Sequence, residues 1–532
     1  MPLVKGFRQI AVLTVLTRIL GMLRDMAFAY FFGAGALMDS WAIAFKIPNL
    51  TRRLFGEGAA ASSVVPIYTE QLQRDPQKAH RLAMSIVTVV FVGLSAVTLL
   101  AEVFIWLYYA YWATYDSTKL TLALSGIMLP YAVLICVVAL LAGVLNTHRH
   151  FAAPAVAPAL LNVCIIGALS TTWVLDISPR LHAFIVAAAV LVAGFAQLGI
   201  HLPPLWSRGI PLRPAWDVMS GPFRRMFFLM GPMALGLAAT QINTLVDDFM
   251  ALWLSGSVEK GQSFTLLGYA IGYPLWEGAV SHLFYAQRLY QFPLGVFGIS
   301  LATAIYPEMS ANAAGRDFES LCRTISRGLR CTVFVALPAT VGLLLIGRPI
   351  VAVIFERGEF MQPDTWMTAA TLGFYALGLI AYFAQQMLTR AFYALQESRL
   401  PLWSAVAAVV ANPVLNLVLV WPLGSRGLAL GTAISACIQV AILVVVLARR
   451  LGPSVLAGMA RAVRDTVVAT LSMAVAVGVV RHFLGGYGDL PMLAAAVVAG
   501  VVVYVAAAGV LRTEMLSLLW GGARRAESSD GG

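Results

Sequence analysis

The chain has 532 residues, 60% of them hydrophobic and 11% charged, with a net charge of +11. A soluble domain carries roughly 25% charged residues, so this composition excludes a soluble globular protein and points to an all-α polytopic membrane protein. The net positive charge also suggests nucleic-acid binding, but the cations follow membrane topology instead, and no nucleic-acid partner is expected.

The opening residues, MPLVKGFRQI, are expected to be retained. The apolar run after them is too long for a signal core, and no small-residue cleavage site closes it. A spanning helix needs ~20 mostly apolar residues. That rule predicts 14 spans, at 7–32, 36–70, 82–112, 120–147, 154–176, 181–205, 225–254, 280–312, 324–347, 364–396, 401–421, 427–448, 462–484 and 490–511. With the amino terminus inside, Lys and Arg divide 23 to 7 between inner and outer segments, and 6 more lie within spans. Such a bias predicts that both termini are cytoplasmic.

Spans one and two, TRILGMLRDMAFAYFFGAGALMDSWAIAFKIPNLTRRLFGEG, form a hairpin with a tight Gly-Ala-Gly turn. They hold Arg18, Arg24, Asp25, Asp39, Lys46, Arg52, Arg53 and Glu57. Each charge at the bilayer centre costs at least ~2.5 kcal/mol on insertion scales, so such residues usually face a cavity and mark a substrate path. Five of the eight are cations, which suggests an anionic cargo. Counted at ~1.5 Å per residue from the turn, Arg24 and Lys46 reach the midplane, while Arg18 and Arg52 lie nearer the inner side. More local readings stand beside this one. Arg24–Asp25 can belong to an interhelical network, Arg53 and Glu57 can pair at i, i+4, and Arg52 and Arg53 can snorkel. Pro48 and Pro66 mark bends. Asn49 either satisfies backbone groups freed by Pro48 or contacts substrate. The 5 cysteines and 7 histidines show no ligand spacing, so no metal site is expected.

Span seven repeats span one. TRILGMLRDMAFAYFFG (17–33) aligns without a gap to TQINTLVDDFMALWLSG (240–256), so that Thr17 meets Thr240, Asp25 meets Asp248 and Gly33 meets Gly256. Both spans start inside, so the repeat is parallel, as in transporters built from two like-oriented halves. This predicts lobe one at 1–215, lobe two at 216–452, an added helix pair in 453–515 and a disordered tail at 516–532. Where lobe one has Arg24–Asp25, lobe two has Asp247–Asp248. The loop from Ser255 to Ser281 contains Tyr269, Tyr273 and Trp276 and reads as an interfacial segment on the outer face. A gating role and a passive insertion are both open for it.

Span eight places Arg288 near mid-depth, and Pro293 marks a bend. A cavity between the lobes then has Arg24 on one wall and Arg288 on the other. Arginine suits an anionic cargo, because its planar fork binds phosphate through two parallel hydrogen bonds and stays charged. Spans eleven and twelve add Asn412, Asn416 and Thr432. With Asp247 and Asp248 these hard oxygen ligands can hold Na⁺ or H⁺; alternatively one of the aspartates counters Arg288.

Four stretches, TRILGMLRD, FGAGALMDSWAIAFKIPNLTRRLFGEGA, VVPIYTE and YAQRLYQFPLGVFGISLATAIYPEMS, closely resemble the MurJ/MviN family of lipid II flippases. That family belongs to the multidrug/oligosaccharidyl-lipid/polysaccharide exporter superfamily. The resemblance implies fourteen helices, in two six-helix lobes around a central cavity, with helices 13 and 14 forming a groove for a polyprenyl tail. It implies movement of undecaprenyl-diphosphate carrying the peptidoglycan disaccharide-pentapeptide from the inner to the outer leaflet of the bacterial plasma membrane by alternating access. The family's cavity cations fall on Arg18, Arg24, Arg52 and Arg288, and its acidic positions on Asp25 and Asp39. With Asn49 and Glu57, those two acids are the expected supporting or gating residues. Two departures stand out. Gln287 and Gln291 replace acidic residues found beside the span-eight arginine in many relatives, and the 255–281 loop is some twenty residues longer.

The expected function is therefore transport without covalent chemistry or a cofactor, coupled to Na⁺ or H⁺ and to membrane potential. The expected partners are lipid II, membrane lipids and the cell-wall synthesis machinery, with the chain acting as a monomer. Competing readings are a flippase for another polyprenyl-linked oligosaccharide and a multidrug cation antiporter, whose cavity would favour acidic and aromatic walls. A membrane scaffold would need no buried charge.

Overall fold

The computed structural model describes residues 2–54, 60–266, 268–513 and 516. In chain order the helices are α1 (Pro2–Phe32), α2 (Ala36–Leu54), α3 (Ala60–Arg74), α4 (Pro76–Tyr111), α5 (Asp116–Met128), α6 (Pro130–Thr147), α7 (Ala152–Leu169), α8 (Pro179–Trp206) and α9 (Gly221–Trp253). Four short strands follow: β1 (Ser255–Gly256), β2 (Ser263–Leu266), β3 (Tyr269–Gly272) and β4 (Leu275–Trp276). Then come α10 (Ala279–Pro293), α11 (Ile299–Ala314), α12 (Phe318–Phe355), α13 (Gln362–Leu377), α14 (Leu379–Ala394), α15 (Arg399–Leu423), α16 (Ser425–Leu451), α17 (Met459–Leu484) and α18 (Asp489–Val510).

By length and composition, ten of the described helical stretches can cross a membrane, or eleven if α13 and α14, bent by 43°, count as one span. The chain is thus an all-α multi-pass membrane protein, and the predicted figure of fourteen is not reproduced. The predicted spans without a counterpart in that count are 7–32, 36–70 and 225–254, which carry the intramembrane charges apart from Arg288. Those regions are nonetheless helical where described, and 36–70 is divided between α2 and α3. Leu99, Leu100 and Phe104 on α4 are 68–72% exposed, a surface that suits lipid and not water.

Local chemistry explains many of the boundaries. Asp75 caps α4 by accepting the N–H groups of Gln77 and Lys78, with Pro76 at the first helical position. Ser178 does the same for α8 and Asp317 for α12. After Pro293 the chain takes one π-helical turn, Leu294–Gly298, before α11. Proline cannot donate the N–H that an unbroken ladder needs, and the predicted bend there has this local form.

Contacts divide the described chain into two compact units. The first runs to Ser281 and includes Arg357–Phe360; the second comprises His282–Glu356 and the residues from Met361 onward. The first unit therefore contains α9 and the inserted strands. Its core gathers Val64, Ile67 and Tyr68 of α3, Ile86 of α4, Leu140 and Val144 of α6, and Phe223 and Met226 of α9. Gly33, at φ +62°, turns α1 into α2 against the backbone of Glu359, and a Cβ there would lie 2.5 Å from the Glu359 carbonyl oxygen. In the second unit, Ile325 and Leu329 of α12 pack with Met387 and Leu388 of α14 and Leu443 of α16. Phe334 of α12 packs with Met473 of α17 and Tyr504 of α18, so the last two helices rest on α12.

The insertion between α9 and α10 is a small β structure. β1 pairs in parallel with β4, and β2 pairs antiparallel with β3 from Ser263↔Gly272 to Leu266↔Tyr269. The alternating run Ser-Phe-Thr-Leu and the Tyr-Ala-Ile run after a glycine carry a short strand signal, which the aromatic character of the loop masks.

Candidate functional site

Arg24 of the first unit is held from two sides. Its Nε and Nη2 donate to Oδ1 of Asp25 at 3.0 and 2.7 Å, and its Nη1 donates to Oδ1 of Asn162 on α7 at 3.0 Å. Asn162 in turn donates from Nδ2 to the Thr17 carbonyl at 3.3 Å, which ties α7 back to α1. Asp25 and Asn162 are buried, while the Arg24 side chain keeps 12% of its surface exposed. A guanidinium has five N–H donors. Three are engaged here, so the group is fixed in orientation and retains donors for another anion.

Arg52 donates from Nε to Oδ1 of Asn49 one helical turn earlier, at 3.2 Å. Asn49 thereby orients the second arginine of the hairpin. Arg18 is exposed on α1, and among the described residues no hydrogen bond or ion pair holds it. Glu57 lies outside the described residues, as does the side chain of Arg53.

Lys46, near the predicted midplane, forms an ion pair with Asp248 across α2 and α9. The side chains keep only 20% and 6% of their surface, and Asp247 beside them is buried. Of the two expected roles for Asp248, cation ligand or counter-charge to Arg288, the geometry shows a third, as partner of Lys46. Asp39 is also buried. It accepts the N–H groups of Gly278 and Ser281, each at 2.7 Å, and the Ser281 hydroxyl at 2.5 Å. An acid at the start of α2 is thus satisfied by the first turn of α10 and the residue before it.

In the second unit, Arg288 lies half-buried on α10 with its guanidinium 4.6 Å from the Phe284 ring centre, a cation–π geometry. Next to it, Gln287 donates to the Tyr375 hydroxyl at 3.1 Å. Tyr290 stacks near Tyr375 and Tyr382 at 4.9 and 5.2 Å. The glutamine at 287 therefore works as a neutral hydrogen-bond donor in an aromatic wall. Asn412, Asn416 and Thr432 form a buried chain: Asn416 donates to Asn412 at 3.1 Å, and Asn412 to Thr432 at 3.3 Å. The five candidate cation-site residues are accordingly divided, with the aspartates in the first unit and this amide chain in the second. Among the described residues, no group of three or more His, Cys, Asp or Glu could hold a metal ion.

The sequence did not single out Asn162, although a lone amide in the apolar run ALLNVCIIGAL is a legible signal of a buried polar contact. The partners of Asp39 are mostly backbone N–H groups, and no side-chain pattern announces them.

Residues 28–498 match the family model described as lipid II flippase MurJ. The chain belongs to the MurJ family of lipid II flippases. Its relatives include a probable lipid II flippase MurJ of Vibrio cholerae, 33% identical over 82% of this chain and 81% of that protein. A lipid II flippase MurJ of Burkholderia cenocepacia is 30% identical over 85% and 84%. Among solved structures, a lipid II flippase MurJ in an inward closed conformation superposes with a TM-score of 0.76 at 23% identity, covering 95% of this chain and 99% of that one. A multidrug resistance transporter of the MATE family, inward-facing, gives a TM-score of 0.65 at 15% identity, covering 82% and 95%. These two superpositions establish a shared fold across the MurJ and MATE branches.

Proposed function

We propose that this chain is a lipid II flippase of the bacterial inner membrane, with both termini cytoplasmic, and that its arginines bind the diphosphate of the cargo. Arg24 carries this reading. It is anchored by Asp25 and Asn162 at one edge and keeps unengaged N–H donors at the other. A guanidinium held in this way meets a phosphate with its orientation already set, which lowers the entropic cost of binding. Arg52, steered by Asn49, and the exposed Arg18 add positive charge to the same hairpin, and Arg288 supplies a further cation from the second unit.

Binding a dianion offsets the mutual repulsion of the hairpin arginines Arg18, Arg24 and Arg52. Any differential affinity between states then drives the change of access from one leaflet to the other. Return of the empty carrier is aided by membrane potential, which acts on a cationic site with ~2.3 kcal/mol per charge per 100 mV. Na⁺ or H⁺ contributes at Asp247 or at the Asn412–Asn416–Thr432 chain. The excess of cations, almost all Arg, in the inner segments supports the orientation.

The experiment is lipid II exposure on the outer leaflet of cells depleted of their own flippase and carrying this chain. The chain is expected to restore exposure, and Arg24→Ala and Arg288→Ala, at normal protein levels, are expected to abolish it. Full exposure in both variants refutes the diphosphate assignment. A well-expressed wild-type chain that fails to restore exposure favours a different polyprenyl-linked oligosaccharide.

A further inference from the structure

The first unit carries a cavity that the transport reading does not use. It measures about 220 Å³ and lies among α4, α6, α8 and the segment that leaves α8. Its walls are apolar, with Phe91 of α4, Val137 and Leu141 of α6, and Leu198 and Leu202 of α8 among them. Thr88 of α4 also lines it, but its hydroxyl is engaged elsewhere. It donates to the Met84 carbonyl at 2.7 Å and accepts the Ala215 N–H at 3.2 Å. The second of these bonds ties the segment after α8 to α4, so the cavity is closed on that side by the fold of the first unit. Arg213, two residues before Ala215, is the one charged residue among the described lining residues.

Position decides what the cavity opens to. α4, α6 and α8 all belong to stretches long and apolar enough to cross a membrane. Phe91 in the wall is 48% exposed, and Val92 beside it and Val192 and Phe195 on α8 are exposed as well. Such a surface suits lipid and not water. Leu198 and Leu202 lie about 12 and 6 Å along the axis from the end of α8, the end that faces the cytoplasm in the orientation proposed above. Trp206, which closes α8, and Trp216, just past Arg213, are both exposed, as aromatic residues are at the headgroup level. Arg213 is exposed between them in sequence, and among the described residues no hydrogen bond or ion pair engages it.

An apolar recess at hydrocarbon depth beside an unengaged guanidinium at headgroup level is complementary to a molecule with an alkyl chain and an anionic head. The volume is below the ~300–1,000 Å³ of a pocket that encloses a whole ligand, so only part of the occupant enters, as one chain of a lipid does. A single guanidinium matches a single phosphate; a diphosphate would find one cation for two phosphates. We propose that the cavity holds one acyl chain of an anionic glycerophospholipid of the inner leaflet, with the phosphate on Arg213. The bound molecule is a resident lipid of the first unit, which fills the gap between α4, α6 and α8 and is not cargo. This assignment does not depend on the flippase reading.

The test uses the purified full chain and native mass spectrometry with phosphatidylglycerol or with phosphatidylcholine of identical chains. The first phosphatidylglycerol is expected to bind about fivefold more tightly than phosphatidylcholine, the scale of one interfacial charge. Arg213→Ala is expected to bring the two lipids within about twofold of each other. Leu202→Trp, which fills the cavity, is expected to weaken both by at least about tenfold, because buried methylene groups are displaced. Equal binding of the two lipids by the unmodified chain overturns the proposal, and so does an unchanged preference in Arg213→Ala. A phosphatidylglycerol with a photoreactive diazirine near the end of one acyl chain locates the site without any variant, and decides alone if a variant fails to fold. Its crosslinks are expected to concentrate on residues 84–91 of α4 and 198–202 of α8. Crosslinks spread evenly over the lipid-exposed helices overturn the proposal. Displacement of the label by excess undecaprenyl phosphate, where the same excess of unlabelled phosphatidylglycerol leaves it in place, overturns it too and gives the cavity to a polyprenyl chain.

Discussion

Two carboxylates at repeat-related positions, Asp25 on α1 and Asp248 on α9, do different work. Asp25 engages the arginine next to it in sequence, and Asn162 braces that arginine from α7. Asp248 engages a lysine from another helix, and the adjacent Asp247 takes the place that Arg24 holds in the first copy. A carboxylate that binds its own neighbour orients a cation. A carboxylate that binds across helices joins them. The first arrangement orients a guanidinium and the second makes a strut between α2 and α9, although the two sequences align without a gap.

This contrast sets the expected order of mutational effects. The largest belongs to the strut. Asp248→Ala leaves Lys46 charged and largely buried, and breaking a buried pair in this way costs about 3–5 kcal/mol. The purified protein should melt well below wild type, and the double change Asp248→Leu with Lys46→Met should recover most of the loss. A single variant that melts with wild type would show that the pair carries no structural weight. Arg24→Lys comes second, and its effect is on transport. Lysine keeps the charge but not the fork. Loss of charge-assisted hydrogen bonds worth about 1.5–3 kcal/mol predicts a drop of about tenfold to a hundredfold in lipid II exposure. Thermal stability should change little. Asn162→Ala is third: it removes one brace of Arg24 at about 1 kcal/mol, hence about fivefold in exposure. Equal exposure in Asn162→Ala and wild type would mean that Asp25 alone orients the guanidinium.

The sequence made the charged positions legible because the cost of a charge in lipid belongs to the residue itself. Arg24, Asp25, Asp39 and Asp248 stood out for that reason. The partners were not legible, because partners are chosen by packing. Nothing in the hairpin sequence says that Lys46 faces α9, or that Asp39 meets the backbone of Gly278 and Ser281. The cap on α5 was equally hidden: Glu259, which accepts the N–H groups of Asp116 and Ser117, reads as one more polar loop residue. For the fold, the apolar spans were legible by length and hydropathy. The charged helices α1, α2 and α9 break that simple rule, and span two divides into α2 and α3. The strands of the insertion run only two to four residues, too short for alternation to stand out.

The smallest predicted effect tests the contrast most sharply. Lys46→Arg keeps a cation opposite Asp248 and offers it a fork that a carboxylate accepts readily. If Lys46 serves only as one end of the strut, the variant should melt within a few degrees of wild type, the scale of a change near 1 kcal/mol. Its lipid II exposure should stay within about twofold, a difference below 0.5 kcal/mol. Arg24→Lys, the reverse exchange 22 residues earlier, should fail in the same assay. Two opposite substitutions between the same pair of residue types would then separate a point charge that holds helices from a fork that holds cargo. Loss of exposure in Lys46→Arg, with stability intact, would instead place Lys46 on the substrate path beside Arg24.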